Sequence, residues 1–295
     1  MPDRFRAVLD DVPPTLRLAG PVVAAQLAQV SMGFIDTVMV GRLGADELAA
    51  VALGNAVFFT LLIISTGVIQ AVGPMVSQAT GASDREPVER SVRQGLWLGV
   101  LLSLPACALL WTAETWLLWA HQEPTTVART ARYLRVIVWG FLPACWFMAL
   151  RSFVEGLARP LPVTIIALLG VALNIGANYV LMYGALGVPA LGIVGTGLAS
   201  TIVFWTVFGL LSALVAWADP FCNYRVFSRL RVPDPTYLRE LLRIGGPMGV
   251  SRGVEAGMFM ITALMVGTLG AQALAAHQVA LQCAAFTFMV PVGVA

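Results

Sequence analysis

Two carboxylates stand inside long apolar runs of this sequence, where ionisable side chains are rare. Asp36 lies in the run that ends near Val40, and Glu255 lies about halfway along a later run. Placing a charged side chain at the centre of a membrane helix costs roughly 2.5–3.5 kcal/mol on insertion scales. Each carboxylate is therefore a candidate for binding a cation, because the positive charge would compensate for the burial of the negative one.

Three amide side chains could complete a site of this kind. Gln29 precedes Asp36 by two helical turns and shares its face, and Asn174 and Asn178 lie four residues apart on one face of another apolar run. Amides in hydrocarbon need each other, water or a carboxylate as partners. Hydrogen bonds between helices, with no ligand involved, would explain the two asparagines equally well.

Each carboxylate also has an interpretation without a ligand. Asp36 lies four residues before Val40, which is about 6 Å of helix, so its side chain could reach interfacial water. Glu255 follows Arg252 by three residues, and side chains at this spacing are neighbours on a helix. An ion pair between them could exist for membrane insertion alone, and the sequence leaves both alternatives open.

The segments that carry these residues are long enough to cross a bilayer. The chain has 295 residues, of which 58% are hydrophobic and 12% charged, and its mean hydropathy is +0.82. Soluble domains carry about 25% charged residues, and a membrane helix needs roughly 20 apolar residues. We predict an all-α integral membrane helix bundle of about eight spans. These lie at Leu18–Val40, Leu48–Val76, Leu96–Trp116, Tyr133–Leu150, Val163–Tyr183, Gly192–Trp217, Ile244–Val266 and Ala273–Ala295.

Composition and motifs argue against several other classes of function. The net charge of +2 is too small to indicate a nucleic-acid partner. The four cysteines and two histidines show no metal-ligand spacing. The sequence has no nucleotide-binding loop, nucleophile elbow or HExxH pattern, so we predict neither an enzyme nor an ATP-driven pump. No cofactor is expected beyond a coupling ion.

An internal repeat indicates how the spans are organised. Residues 18–68 align without gaps to residues 244–294 with 15 identities in 51 positions, and MVGRLGADELAA from Met39 matches MVGTLGAQALAA from Met265. Six spans separate the copies, and an even number returns the chain to the same side of the membrane. The two halves should therefore be related by an axis along the membrane normal, with the substrate path between them.

The repeat divides the chain into three predicted parts. Residues 1–217 form an N-lobe of six transmembrane helices, residues 218–243 a linker, and residues 244–295 the start of a homologous C-lobe. We expect this to be the first part of a twelve-span protein that is a monomer when complete. Twelve arginines fall on the side of the N-terminus and the linker, and four on the other side. This bias predicts a multi-pass protein of the inner membrane with a cytoplasmic N-terminus.

Four segments resemble the multidrug and toxic compound extrusion family, and its NorM-like branch in particular: FIDTVMVGRLGADELAAVALG, ALRSFVEGLARP, NIGANYVLMYG and AAHQVALQ. They recur in the family's order, and the resemblance extends from Leu18 to Ala295. It implies twelve spans in two six-helix lobes. It also implies secondary active antiport, in which Na⁺ or H⁺ is exchanged for organic cations such as drugs or dyes.

The resemblance also implies roles for single residues. Asp36 matches a first-span carboxylate linked to cation coupling, and Glu255 matches a seventh-span carboxylate of the Na⁺ and substrate region. Asn174 and Asn178 match the fifth-span polar pair of the N-lobe network. By this resemblance, Na⁺ could bind at Glu255 or at Asp36. Arg252 departs from the family pattern. Two alternatives remain: a flippase for lipid-linked oligosaccharides from the same superfamily, and an inactive fragment.

Overall fold

The computed structural model describes residues 24, 27–28, 30–82, 84–187, 189–228 and 233–294, and within these ranges the regular structure is helical. This confirms the predicted all-α fold. The helices are α1 Val30–Gly41, α2 Ala45–Ile69, α3 Val72–Gly81, α4 Arg85–Trp111, α5 Ala113–Trp119, α6 Pro124–Ile137, α7 Phe141–Gly156, α8 Leu161–Tyr183, α9 Ile193–Trp217, α10 Pro235–Gly267 and α11 Ala271–Val294.

Six helical segments in the described part of the chain are long and apolar enough to cross a membrane. They correspond to the second to seventh predicted spans and are Ala45–Gly81, Arg85–Trp111, Pro124–Gly156, Leu161–Tyr183, Ile193–Trp217 and Pro235–Gly267. Helices α1 and α11 occupy the positions of the first and eighth predicted spans. The division into lobes and the total of eight spans stay predictions.

Helix α10 begins well before the predicted start of the seventh span at Ile244. Asp234 caps it, because its Oδ1 accepts hydrogen bonds from the backbone N–H of Thr236 at 3.0 Å and of Tyr237 at 3.3 Å. Pro235 occupies the first helical position, where its missing N–H costs nothing. The first two turns are polar, so a hydropathy pattern detects only the later, apolar part of this helix.

The two copies of the sequence repeat make the same turn between helices. Gly44, between α1 and α2, has a φ of 130°, and Gly270, between α10 and α11, has a φ of 109°. Positive φ values of this kind are strained for residues that carry a Cβ, which explains the glycine at both places. Leu43 donates to the Val40 carbonyl at 2.9 Å, and Leu269 donates to the Val266 carbonyl at 3.0 Å. The repeat in sequence is thus also a repeat in structure.

Helix α2 lies at the centre of the bundle and packs against α4, α6, α7, α10 and α11. Its contact with α10 is a close approach of backbones. A Cβ added to Gly67 would lie 3.1 Å from the Gly249 Cα, and one added to Gly245 would overlap the Val68 carbonyl oxygen. Small residues permit such contacts between membrane helices. The glycines of α10 therefore hold the start of the predicted second lobe tightly against the first.

Candidate functional site

Asp36 on α1 faces α8, and the structure joins it to one of the predicted amides. Asn178 donates a hydrogen bond from Nδ2 to Asp36 Oδ1 at 2.7 Å. Asp36 is partly buried and Asn178 is fully buried, at 0% exposure. The two helices meet again one turn further along, where the hydroxyl of Tyr183 donates to the Met39 carbonyl at 2.8 Å. The second contact fixes the register that brings Asp36 and Asn178 together.

Asn174 lies one turn before Asn178 and is also 0% exposed. It is close enough to Asp36 for the two side chains to interact electrostatically. Within the described ranges, however, neither its Nδ2 nor its Oδ1 makes a hydrogen bond, and Asn178 Oδ1 makes none either. Buried amides normally have partners. Next to Asp36, these atoms therefore offer unused hydrogen-bonding and oxygen-ligand capacity.

No cationic side chain in the described part of the chain pairs with Asp36. The ion pairs found there are Arg90–Asp234, Arg129–Asp46, Arg129–Glu47, Arg135–Glu114 and Arg151–Glu155. The hydrogen bond to Asp36 comes instead from the neutral amide of Asn178, which brings no compensating charge. A neutral donor orients the carboxylate but leaves its negative charge uncompensated, which an added cation could correct.

Two residues near Asp36 were not predicted from the sequence. Tyr133 on α6 is 2% exposed, and its hydroxyl donates to Asn55 Oδ1 on α2 at 2.7 Å. Tyr133 also lies within electrostatic range of Asp36. Asn55 could have been noticed as an isolated amide within the apolar second span. Tyr133 is the first residue of the fourth predicted span. Its position opposite Asn55 depends on how α2 and α6 pack, which the sequence does not show.

A cavity of about 120 Å³ is lined by residues of α1, α2, α7, α8 and α9. Met32, one turn before Asp36 on α1, contributes to its wall. The wall is largely apolar and aromatic, and Arg151 is the charged residue among those that line it. The other contributors include Phe59, Phe147, Met148 and Phe204. An anionic group therefore stands one helical turn from an apolar cavity.

Glu255 lines a larger space, a cleft of about 720 Å³ between α2, α3, α7 and α10. This cleft adjoins the first cavity, because Ile63, Thr66, Met148 and Arg151 line both. Arg252, Arg151 and Glu155 line the same cleft. Arg151 is 7% exposed and pairs with Glu155 at 2.8 Å. Among the described residues, no ion pair joins Arg252 to Glu255, and the Arg252 side chain passes over Gly67 of α2. The structure therefore does not form the pair that the spacing of these residues allowed.

The predicted site residues thus fall into two groups. Asp36, Asn174 and Asn178 come together at α1 and α8, while Glu255 lies in the larger cleft that adjoins the first cavity. Gln29 lies outside the described residues, so its place beside Asp36 stays a prediction.

Comparison with known proteins assigns the chain to a family. The MatE family model matches residues 21–180 and 247–295. The chain belongs to the MatE family. A probable multidrug resistance protein NorM of Bradyrhizobium diazoefficiens is 40% identical over 285 residues, which are 97% of this chain and 61% of that protein. The NorM protein of Pseudomonas aeruginosa is 39% identical over 278 residues, or 94% of this chain and 57% of that protein.

These relatives confirm the NorM-like branch of the multidrug and toxic compound extrusion family. The family consists of membrane transporters rather than enzymes, as predicted. The chain spans about 60% of the length of the curated relatives that it matches.

Solved transporter structures confirm the fold of this MatE member. A multidrug resistance MATE family transporter in an inward-facing conformation gives a TM-score of 0.77 at 20% identity, covering 89% of this chain and 60% of that one. A eukaryotic MATE transporter gives a TM-score of 0.79 at 17% identity, covering 95% of this chain and 64% of that one. At these identities the likeness shows the fold alone.

Proposed function

We propose that this chain forms part of a secondary active multidrug exporter that exchanges Na⁺ or H⁺ for organic cations across the inner membrane. One observation carries the proposal: Asp36 is a partly buried carboxylate whose described hydrogen-bond donor is the neutral amide of Asn178. A cation bound there compensates a charge that the protein leaves uncompensated. The names of the NorM relatives agree with this assignment.

Competition for one carboxylate would couple the two fluxes. A coupling ion and an organic cation that neutralise the same negative charge weaken each other's binding, and this linkage is reciprocal. The unused oxygen atoms of Asn174 and Asn178 beside Asp36 are suitable ligands for a hard cation such as Na⁺. Protonation of Asp36 would serve equally well for H⁺, so the geometry supports both coupling ions.

The neighbouring cavity supports an organic cation as the substrate. Its wall combines methionine with phenylalanine side chains, and the charge of Arg151 in this wall is paired with Glu155. Aromatic faces attract cations, while apolar walls accept their hydrocarbon parts. Glu255 lines the adjoining cleft without an ion-pair partner in the described ranges, and we assign it a second contact on the substrate path. The flippase alternative receives no support from this cleft, because its two arginines are balanced by two glutamates.

Substitution of Asp36 tests the proposal at two levels. In the 295-residue chain, binding of a fluorescent lipophilic cation should be lost in Asp36→Asn and partly kept in Asp36→Glu. In a fusion that carries the remaining part of a NorM relative, Asp36→Asn should also abolish ion-driven export of the same dye. Asp46→Asn is the matched control, because Asp46 is an exposed carboxylate paired with Arg129. Export by Asp36→Asn at the parental rate would show that Asp36 is a structural residue.

The proposed orientation can be tested separately. The arginine bias places the linker in the cytoplasm and the turn between α8 and α9 outside. In a background without other cysteines, Ser228→Cys should resist an impermeant thiol reagent added to intact cells, whereas Ala185→Cys should react. Labelling of position 228 from outside would reverse the orientation.

A further inference from the structure

A second apolar space lies on the flank of the bundle, away from Asp36 and Glu255. It is a groove of about 310 Å³ between α4, α7 and α9, to which the linker contributes one residue. Its lining is formed by Leu96, Trp97, Val100, Trp146, Phe208 and Phe227. The Trp146 indole N–H donates to the Leu96 carbonyl at 3.1 Å, so this ring turns its apolar surface to the groove.

Aromatic packing gives the groove a rigid wall. The rings of Trp146 and Phe208 lie 5.2 Å apart, and those of Trp146 and Trp205 lie 6.4 Å apart in an edge-to-face arrangement. Phe227 comes from the turn of residues 225–228, which is held in place because Val226 is only 2% exposed. The linker therefore forms part of the groove through Phe227.

The groove begins where α4 changes from polar to apolar. Arg85, Glu86, Glu89, Arg90 and Arg93 occupy the first turns of this helix, and Leu96 and Trp97 follow directly. In a bilayer this change marks the depth at which headgroups give way to acyl chains. The groove thus extends from the headgroup level towards the hydrocarbon.

A cationic group stands at the headgroup end. Arg93 NH1 donates to the Ser228 carbonyl at 3.0 Å, which uses one of the five N–H donors of its guanidinium. In the described ranges Arg93 forms no ion pair. Arg225, which belongs to the same linker turn as Ser228, is exposed. Arginine is suited to bidentate hydrogen bonding with phosphate. The same charges disfavour an organic cation at this place.

We propose that this groove binds an anionic phospholipid, with one acyl chain against Trp97 and Trp146 and the headgroup phosphate on Arg93. Because Phe227 and Ser228 belong to the linker, the lipid would also stabilise the linker against α4. The site is independent of the proposed export function, since it shares no residue with Asp36, Glu255 or their cavities.

Quenching of tryptophan fluorescence by brominated lipids tests the proposal in the 295-residue chain. After reconstitution into phosphatidylcholine bilayers, brominated phosphatidylglycerol should quench more strongly than brominated phosphatidylcholine at equal mole fraction. We expect a binding preference of about fivefold for the anionic lipid, which is the contribution of one basic residue near an anionic surface. Arg93→Gln should remove most of this preference, and Arg93→Lys should keep part of it.

Two further variants separate the site from general effects. Arg132→Gln is the matched control, because Arg132 is an exposed arginine on α6, outside the groove, and the preference should persist in it. Val100→Trp fills the groove while all arginines remain, and it should also lower the preference. Equal quenching by the two lipids, an unchanged preference in Arg93→Gln, or an equal loss in Arg132→Gln would overturn the proposal. So would full competition by inorganic phosphate, which would indicate a plain anion site.

Discussion

Asp36 and Asp234 are carboxylates in opposite situations. Asp234 forms an ion pair with Arg90 and accepts two backbone N–H groups at the start of α10. Tyr237 adds to this contact, because its ring lies 5.0 Å from the Arg90 guanidinium and its hydroxyl is 3.1 Å from Ser91 Oγ. We call Arg90, Ser91, Asp234 and Tyr237 the α4–α10 clasp. The described bonding of Asp36, in contrast, is a single hydrogen bond from a neutral amide.

The comparison separates a structural carboxylate from one that can take a ligand. In the clasp every charge has a partner, and the glycine contacts between α2 and α10 continue the attachment along the helix. At Asp36, the hydrogen bond from Asn178 orients the carboxylate, but no described cationic side chain balances its charge. The clasp therefore stabilises the fold, whereas the Asp36 site has charge left for a cation. Three substitutions test this distinction, and they follow in order of their expected effect on stability.

The largest effect is expected from Gly245→Ala on α10. Its new Cβ would overlap the Val68 carbonyl, a backbone atom that cannot move aside as a side chain could. Overpacking typically costs about 1–3 kcal/mol, and we expect the upper end of this range in thermal unfolding in detergent. Gly257→Ala on the same helix is the control, because a Cβ there meets nothing within 4 Å. It should be neutral or slightly stabilising, and equal destabilisation by both variants would contradict the close contact.

A smaller effect is expected from Asn178→Leu. This change removes the hydrogen bond to Asp36 and leaves the carboxylate without its described donor, at a cost of about 1–3 kcal/mol. Asn174→Leu should cost less or even stabilise the ion-free protein, because the atoms it removes make no hydrogen bond in the described ranges. Both variants should weaken cation binding. If Asn174→Leu proves the more destabilising of the two, the comparison with the clasp is wrong.

The smallest effect is expected from Asp234→Asn, and it should depend on pH. The hydrogen bond from Arg90 lowers the pKa of Asp234 below its usual value of about 3.9. The folded protein thus binds fewer protons at this site than the unfolded chain, so the clasp contributes fully above about pH 4. This stability is lost as the pH falls through the lowered pKa of the folded state. The difference in melting temperature between wild type and Asp234→Asn should therefore shrink at pH values below about 4.

Arg90→Gln provides the check on this interpretation. It should remove the same pH-dependent part, and combining it with Asp234→Asn should add little to either single change, because both remove one interaction. A pH-independent difference between wild type and Asp234→Asn would show that the helix cap, rather than the ion pair, carries the effect.

Much of the fold follows from local patterns. The apolar runs predict all six of the described helical segments that are long and apolar enough to cross a membrane. The repeat aligns Gly44 with Gly270, and the structure places both in equivalent turns. The start of α10 does not follow from hydropathy, because Asp234 and Pro235 begin a helix whose first turns are polar and precede the predicted span at Ile244. The family was recognisable because its motifs are contiguous in sequence.

The side chains that could bind a cation were predictable from the sequence, since an acid or an amide within an apolar run stands out however the chain folds. Their partners were not predictable in this way, because they come from other helices. Asn178 on α8 donates a hydrogen bond to Asp36 on α1, and Tyr133 on α6 donates one to Asn55 on α2. Arg252 lies against α2 and does not pair with Glu255. Hydropathy and helical period depend on neighbours along the chain, whereas these contacts depend on how whole helices pack. Close backbone contacts, such as those of the α10 glycines, then set the register between the helices.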